Sequence, residues 1–162
     1  MTEPTSPSDM PPVHRLMYTS TSREFMSDED LAKLLERARC WNEANGITGM
    51  LIYVDGHFLQ IVEGAEQDIA AVSQRIFADS QHFAIIRLME GTTPRRVFSD
   101  WSMGLRRLGK RDGAEILGAV NLARQSVIDS LPCDTPQELV VFMESFYRSS
   151  VGLHGHEDVT TT

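Results

Sequence analysis

Cysteine is nearly absent from this sequence: Cys40 and Cys133 are the only two among 162 residues. They make neither a CxxC pair nor a disulfide framework, which excludes a small stapled scaffold and points to a reducing compartment. No apolar run approaches the roughly 18–20 residues that span a bilayer. The N-terminus, Thr2 to Pro12, is Pro, Ser and Thr with acids rather than a basic stretch leading into an apolar one. No secretory signal is expected, and the expected location is the cytoplasm. G-x-G-x-x-G and P-loop patterns are missing, so any nucleotide binds in a non-Rossmann way. No Ser/His/Asp or Cys/His set can be assembled. His154 and His156 look like a metal pair only superficially, because no third ligand accompanies them.

Bases are also few, 15 against 23 acids, for a net charge of −8. That balance argues against a general polyanion binder, which needs a net basic surface. The charge is unevenly spread. From Arg95 to Arg111 there are six bases and a single acid, Asp100, leaving nine bases against 22 acids, a net −13, elsewhere. Such a run is either a solvated edge or a docking surface for an acidic partner or a ligand's phosphates. The 41% hydrophobic content is that of an ordinary globular chain. The length allows one domain with short extras, able to fold without disulfides or a structural metal.

Residues 1–12 and 152–162 are polar and expected to be disordered tails. Between them the elements alternate. His14 to Ser20 reads as a strand with Leu16, Tyr18 and Ser20 on one face. Ser27 is a helix cap with Asp28, Glu29 and Asp30 in the first turn, where acids complement the dipole. The stripe of that helix is Leu31, Leu34, Leu35 and Ala38, continuing to Asn42, with Gly46 as a stop. Thr48–Val54 and His57–Val62 flank Asp55-Gly56, a strong hairpin signal that sets Val54 against His57 and Leu51 against Gln60. One face then carries Gly49, Leu51, Tyr53, Phe58, Gln60 and Val62. A second helix has Ile69, Val72, Ile76 and Phe77 on one side. Strands follow at Ala84–Met89 and within Phe98–Leu105, around Trp101-Ser102-Met103. Thr135-Pro136-Gln137-Glu138 is a capping box for a last helix, whose stripe is Leu139, Phe142, Met143 and Phe146. The expected fold is α+β: a ferredoxin-like βαββαβ sheet with an extra fifth strand and two helices on one face. The C-terminal helices are expected on the open face of the sheet or at a dimer interface.

Three polar side chains interrupt the apolar pattern in one region: Tyr18 on the first strand, Asn42 on the inward stripe of the first helix, and Gln60 between Phe58 and Val62. A buried amide costs several kcal/mol unless its hydrogen bonds are met, on the order of 2–7 by reference state. Singly, each is most often a satisfied structural group. Together they outline a planar, polar-edged space between the two helices. Asp79 and His82 follow the second helix, where a His is most often a surface or capping residue. By the same token Trp101 and Met103 read first as core.

Several separated motifs now agree in order and spacing. Leu16-Met17-Tyr18-Thr19-Ser20, Asn42 to Gly49, the run Tyr53 to Gly64 (YVDGHFLQIVEG), and Arg95-Arg96-Val97-Phe98 with Trp101-Ser102-Met103 together resemble BLUF domains, the blue-light sensors that use FAD. The match covers about residues 13–107. The resemblance implies FAD held between the two helices. It implies that Tyr18 is the electron and proton donor, that Gln60 bridges it to the flavin edge, and that Asn42 bonds the ring's carbonyl edge. Trp101 and Met103 match the W-x-M pair of the last strand. His82 and Asp79 match a histidine and an aspartate near the ring, and Ser20, on the Tyr18 face, joins these cofactor contacts. Two positions depart from the family pattern: Gln81 stands where many members carry Arg, and Ala38 where some carry Ser.

The expected function is therefore a FAD-binding photoreceptor rather than an enzyme. Residues 13–107 form the sensor and 108–151 a helical cap, too short for an effector enzyme. A homo-oligomer and a downstream protein partner are expected, with neither nucleic acid nor membrane. A small ferredoxin-like hydrolase of the acylphosphatase kind is the alternative, with Arg15 or Arg23 as a clamp beside Asn42. An RNA-recognition sheet is disfavoured by the charge and by the absence of paired aromatics on the first strand.

Overall fold

The computed structural model describes residues 11–99, 104–108 and 131–152. Its elements are β1 (Val13–Ser22), α1 (Asp28–Ala44), β2 (Thr48–Val54), β3 (His57–Gly64), α2 (Glu66–Ala78), β4 (His82–Thr93), β5 (Gly104–Leu108) and α3 (Gln137–Gly152). The sheet order is β4-β1-β3-β2-β5, with β5 parallel to β2 and the other pairs antiparallel. The tails over 1–10 and 153–162, with His154 and His156, lie outside the described residues, as do Trp101, Met103, Lys110 and Arg111.

Local chemistry explains the elements. Ser27 Oγ accepts from the Asp30 amide while the Asp30 carboxylate accepts from the Ser27 amide, both at 3.1 Å, a reciprocal cap at the start of α1. The helix ends where the Asn42 carbonyl accepts from the amides of Asn45 and Ile47, with Gly46 at φ 64. Between β2 and β3, Asp55 (φ 46) and Gly56 (φ 88) both sit in the left-handed region, the conformation a two-residue hairpin turn needs. Val54 pairs with His57 and Leu51 with Gln60, the expected register. Gly49 has no room for a side chain, because a Cβ there would overlap the Ile61 carbonyl oxygen.

Alternation along the strands splits the core in two. One face carries Leu16, Tyr18, Leu51, Tyr53, Phe58 and Val62 beneath Leu31 and Leu35 of α1 and Ile69 and Val72 of α2. The other carries Met17, Met50, Ile52, Leu59 and Ile61 beneath Val97, Phe98, Leu131 and, from α3, Leu139 and Met143. The last helix thus takes the open face of the sheet.

Of the last strand, expected within Phe98–Leu105 around Trp101-Ser102-Met103, the described part is Gly104–Leu108, and Trp101, Ser102 and Met103 lie outside the described residues. Phe98 itself is buried in the core beneath α3, in a bend held by side-chain hydrogen bonds rather than by a ladder. One expectation is corrected. The C-terminal helix begins at Gln137, and the Thr135 hydroxyl donates to the Pro132 carbonyl at 2.6 Å, so it serves the turn before the helix.

The bend is held by a carboxylate with no solvent exposure. Glu63 accepts from Arg15 Nε and Nη2 at 3.0 and 2.8 Å, from the Val97 amide at 3.0 Å to each oxygen, and from the Phe98 amide at 2.8 Å. Arg96 donates to Thr48 Oγ1 (2.9 Å), the Glu63 carbonyl (3.1 Å) and the Gly46 carbonyl (2.7 Å). Arg95 pairs with Asp134 at 3.3 Å. The first two bases of the basic run are thus engaged within the chain. Removing one partner of a buried ion pair leaves the other charge uncompensated, at about 3–5 kcal/mol. Glu63→Ala should lose about that much stability in urea unfolding. The double variant R15M/E63L should recover only part of it, because the Val97 and Phe98 amides still lack their acceptor.

Candidate functional site

α1 and α2 lie on the same face of the sheet and leave between them a cavity of about 220 Å³. Its floor is Tyr18 and Ser20 of β1, Leu51 of β2, and Phe58 and Gln60 of β3. Leu34, Ala38, Trp41 and Asn42 of α1 form one wall, and Val72, Arg75 and Ile76 of α2 the other. Asp79, Gln81 and His82 close one end.

The polar groups in this space are organised around Tyr18. Tyr18 and Gln60 face each other directly across the β1–β3 ladder, and the Tyr18 hydroxyl donates to Gln60 Oε1. Both are buried, as is Asn42. The Tyr18 ring is held edge-on by Phe77, with centroids 5.3 Å apart, and by His82 at 6.4 Å. Burial, and after it the negative charge of Asp79, push the Tyr18 phenol far above the ordinary tyrosine range. Tyr18 is therefore a neutral donor at any physiological pH.

His82 ties three elements together. Its Nε2 lies against the Ile76 carbonyl at the end of α2, and its Nδ1 is 2.8 Å from Ser20 Oγ. A carbonyl only accepts, so Nε2 carries the proton, and in the neutral ring Nδ1 accepts from the Ser20 hydroxyl. Asp79 Oδ1 accepts from the Gln81 amide at 2.9 Å, which shapes the turn into β4. In β4 itself, register shifts against β1 fall between Met17 and Tyr18 and between Thr19 and Thr21, and Ala84 takes φ 52. Bulges of this kind bend a strand, and these flank the two cavity-facing hydroxyls of β1.

Six of the eight residues singled out from the sequence are thus brought together around one cavity: Tyr18, Ser20, Asn42, Gln60, Asp79 and His82. Trp101 and Met103 lie outside the described residues. Four lining residues were not read from the sequence: Met26, Arg37, Trp41 and Arg75. The signal for Arg37 and Trp41 is periodicity, since they are one turn apart and next to Ala38 and Asn42 on the stripe. The Arg75 guanidinium sits 3.6 Å from the centre of the Trp41 ring, in cation–π geometry. The Trp41 Nε1–H is buried and has no hydrogen-bond partner among the described residues.

This donor set fits FAD. The floor and walls offer aromatic and aliphatic surface for a flat ring, and Asn42 and Gln60 offer amide groups for a polar edge. The indole N–H lacks a partner, and Arg37 and Arg75 supply positive charge for an anionic ligand. The hydrolase alternative does not assemble. Arg15 belongs to the α3 face, opposite Asn42, and is tied to Glu63, while Arg23 Nε donates to the Ser80 carbonyl at 2.6 Å. Among the described residues no group of three His, Cys, Asp or Glu could hold a metal ion, and no helix is long and apolar enough to cross a membrane.

Comparison with known proteins agrees with this geometry. The photoactivated adenylate cyclase subunit beta of Euglena gracilis is 33% identical over 93 residues, covering 56% of this chain and 11% of its own length. The blue light- and temperature-regulated antirepressor BluF of Escherichia coli (strain K12) is 31% identical over 108 residues, covering 65% of this chain and 26% of its own length. This chain therefore spans only about a tenth of the cyclase subunit and a quarter of the antirepressor. Among solved structures, BlsA in its ground state is 32% identical with a TM-score of 0.57, over 59% of this chain and 65% of that one. The dark-state structure of BlrB, a BLUF protein, is 24% identical with a TM-score of 0.61, over 86% and 98%, and shares the fold. The model of the family described as sensors of blue light using FAD matches residues 13–104. That span contains the whole cavity, and the chain belongs to this family, the BLUF domains.

Proposed function

We propose that this chain is a blue-light receptor that holds FAD between α1 and α2 and signals through the Tyr18–Gln60 pair. The observation that carries this reading is the buried hydrogen bond from the Tyr18 hydroxyl to Gln60 Oε1 inside that cavity. FAD supplies the absorption of blue light.

The residues of the chain supply orientation and a choice between two hydrogen-bond arrangements. In the one observed, Tyr18 donates and the Gln60 oxygen accepts. A glutamine amide also carries an NH2 donor on the same group. Rotation of Gln60 turns its nitrogen to Tyr18 and its oxygen to the ligand, whereas tautomerisation leaves the atoms in place and moves the proton, so that the oxygen donates; either one exchanges donor and acceptor. Leucine, glutamate and asparagine lack either the two-ended chemistry or the reach. The cross-strand pairing of Tyr18 and Gln60 keeps them within bonding distance in either arrangement. Asn42 is proposed to bond the carbonyl edge of the ring. Ser20, Asp79 and His82 position the surrounding elements, and Trp101 and Met103, outside the described residues, are proposed as further cofactor contacts. Ala38 adds no hydroxyl to this network, so altered recovery kinetics are expected relative to members with serine there.

Output is proposed to pass through α3, self-association or a protein partner, with residues 13–107 as sensor and 108–151 as helical cap. On this reading the chain is a cytoplasmic sensor rather than a catalyst.

Purified protein should be yellow, and blue light should shift its flavin absorption to longer wavelength, reversibly in the dark. Colourless protein that takes up no added FAD would end this reading. FAD in hundredfold excess over its dissociation constant should raise stability by about 2.7 kcal/mol. Tyr18→Phe and Gln60→Leu should keep flavin and lose the shift. Tyr18→Phe should also cost about 1–3 kcal/mol, since it leaves a buried amide oxygen without its donor.

The raised phenol sets a pH dependence. Below the ordinary tyrosine range the neutral phenol is present in both folded and unfolded chains, and its contribution to stability is constant. Above about pH 10 the unfolded chain loses the proton and the folded chain keeps it, so stability falls as pH rises. The phenolate absorbance of native wild type and native Tyr18→Phe should therefore rise together until unfolding. An additional native phenolate in the wild type would contradict the assignment.

A further inference from the structure

Two cross-strand pairs on the β1–β3 ladder stand three residues apart. Tyr18 faces Gln60, and Arg15 faces Glu63. Alternation puts them on opposite faces of the sheet, the first in the cavity and the second under α3. The second pair has no part in the proposed photochemistry, yet it holds a carboxylate with no solvent exposure at all. Both Glu63 oxygens are used, and half of the donors come from the Val97 and Phe98 amides. The Val97 and Phe98 side chains enter the core that includes Leu139 and Met143 of α3. Arg15 Nη2 also donates to the Arg95 carbonyl at 3.3 Å, and Arg95 pairs with Asp134 in the approach to α3. A set of charge-assisted bonds thus runs from Glu63, three residues along β3 from Gln60, to the bend at 95–98 and to Asp134 before α3.

We infer that the Arg15–Glu63 pair is a positioning device. It couples the hydrogen-bond state of Gln60 to the 95–98 bend and so to α3, making the α3 face the place where the signal emerges. The inference rests on the photoreceptor reading and adds a direction and two residues to it. Charge-assisted bonds are short and orientation-dependent. A small change in β3 at Gln60 therefore reaches Glu63 as a change in its bonds to the two amides. An apolar contact in the same place would deform and transmit less.

The test is amide hydrogen exchange on the FAD-loaded full chain in the dark and under blue light, with the flavin spectrum recorded on the same sample. The Val97 and Phe98 amides should change exchange rate on illumination together with those of Leu139 to Phe146. Glu63→Gln, which removes the charge and keeps the shape, should retain flavin and its spectral shift. Its light–dark exchange ratio over Leu139 to Phe146 should fall by roughly 2- to 30-fold, the range seen for coupling residues remote from a ligand. A residue that only supports the fold would alter dark exchange and leave the light–dark ratio in place. A normal spectral shift with no light response at Val97 and Phe98 overturns the inference, and this wild-type arm does not depend on the variant folding. So does a Glu63→Gln protein that keeps the full light–dark ratio. The absence of any spectral shift in the wild type overturns the photoreceptor reading itself.

Discussion

The register of β1 against β3 is the constraint on which the rest depends. Side chains alternate faces with a period of two, so a slip of one residue would exchange the faces of a whole strand. In the observed register Leu16, Tyr18 and Ser20 face the helices together with Phe58, Gln60 and Val62. A slip of β1 by one position would send Tyr18 to the α3 core and bring Arg15 and Met17 under the helices. The charged pair on the other face guards against this, because Arg15 finds Glu63 only in one register. The same ion pair thus specifies the pairing that puts Tyr18 opposite Gln60. The Asp55-Gly56 turn secures β2 against β3 independently.

Within that frame, the cavity exists because several positions under the helices are polar or small. Ser20, Ala38 and Asn42 stand where a tightly packed helix-on-sheet interface would place larger apolar groups. The polar groups are then satisfied locally where the chain can do it. Tyr18 is bonded to Gln60, and His82 to Ser20 and Ile76. Among the described residues the Trp41 indole N–H is left over. Asp79 at the end of α2 adds negative charge that raises the Tyr18 phenol further, after burial itself. The result is a phenol kept neutral beside an amide whose two ends differ, which is the chemistry of a two-state hydrogen-bond element.

Much of this was legible in the sequence, for identifiable reasons. The hairpin was, because Asp-Gly between apolar runs demands positive φ at both positions. The helices were, because their caps and stripes are local. The face shared by Tyr18, Gln60 and Asn42 was, because period and order suffice to place it. The Arg15–Glu63 pair was not, because two charges near strand ends look solvent-facing until the ladder sets them opposite each other and the Phe98 bend covers them. The bend at Phe98 was not legible for a related reason. Phe98 has the apolar character of a strand residue, but its amide is bonded to the Glu63 carboxylate rather than to a neighbouring strand. Thr135 has the sequence of a helix cap, yet the preceding Pro132 carbonyl takes its hydroxyl. In each case a long-range or competing hydrogen bond overrides a local preference.

The basic run from Arg95 onward takes on a different meaning once these bonds are placed. Arg96 closes the ends of β2 and β3 through three carbonyl and hydroxyl contacts, and Arg95 meets Asp134. Neither is held in reserve for a polyanion. Arg106 and Arg107 fall on β5, at the edge of the sheet among the described residues. Adjacent arginines on an edge strand discourage pairing with another sheet. The opposite edge, β4, is interrupted by two register shifts and carries Arg87, which has the same effect. Among the described residues both edges are guarded and one face is given to the cavity, which agrees with the output at the α3 face inferred above. Val141 lies on that helix and is half exposed. An output surface of this kind is built on a helix over the sheet rather than by adding a strand to it.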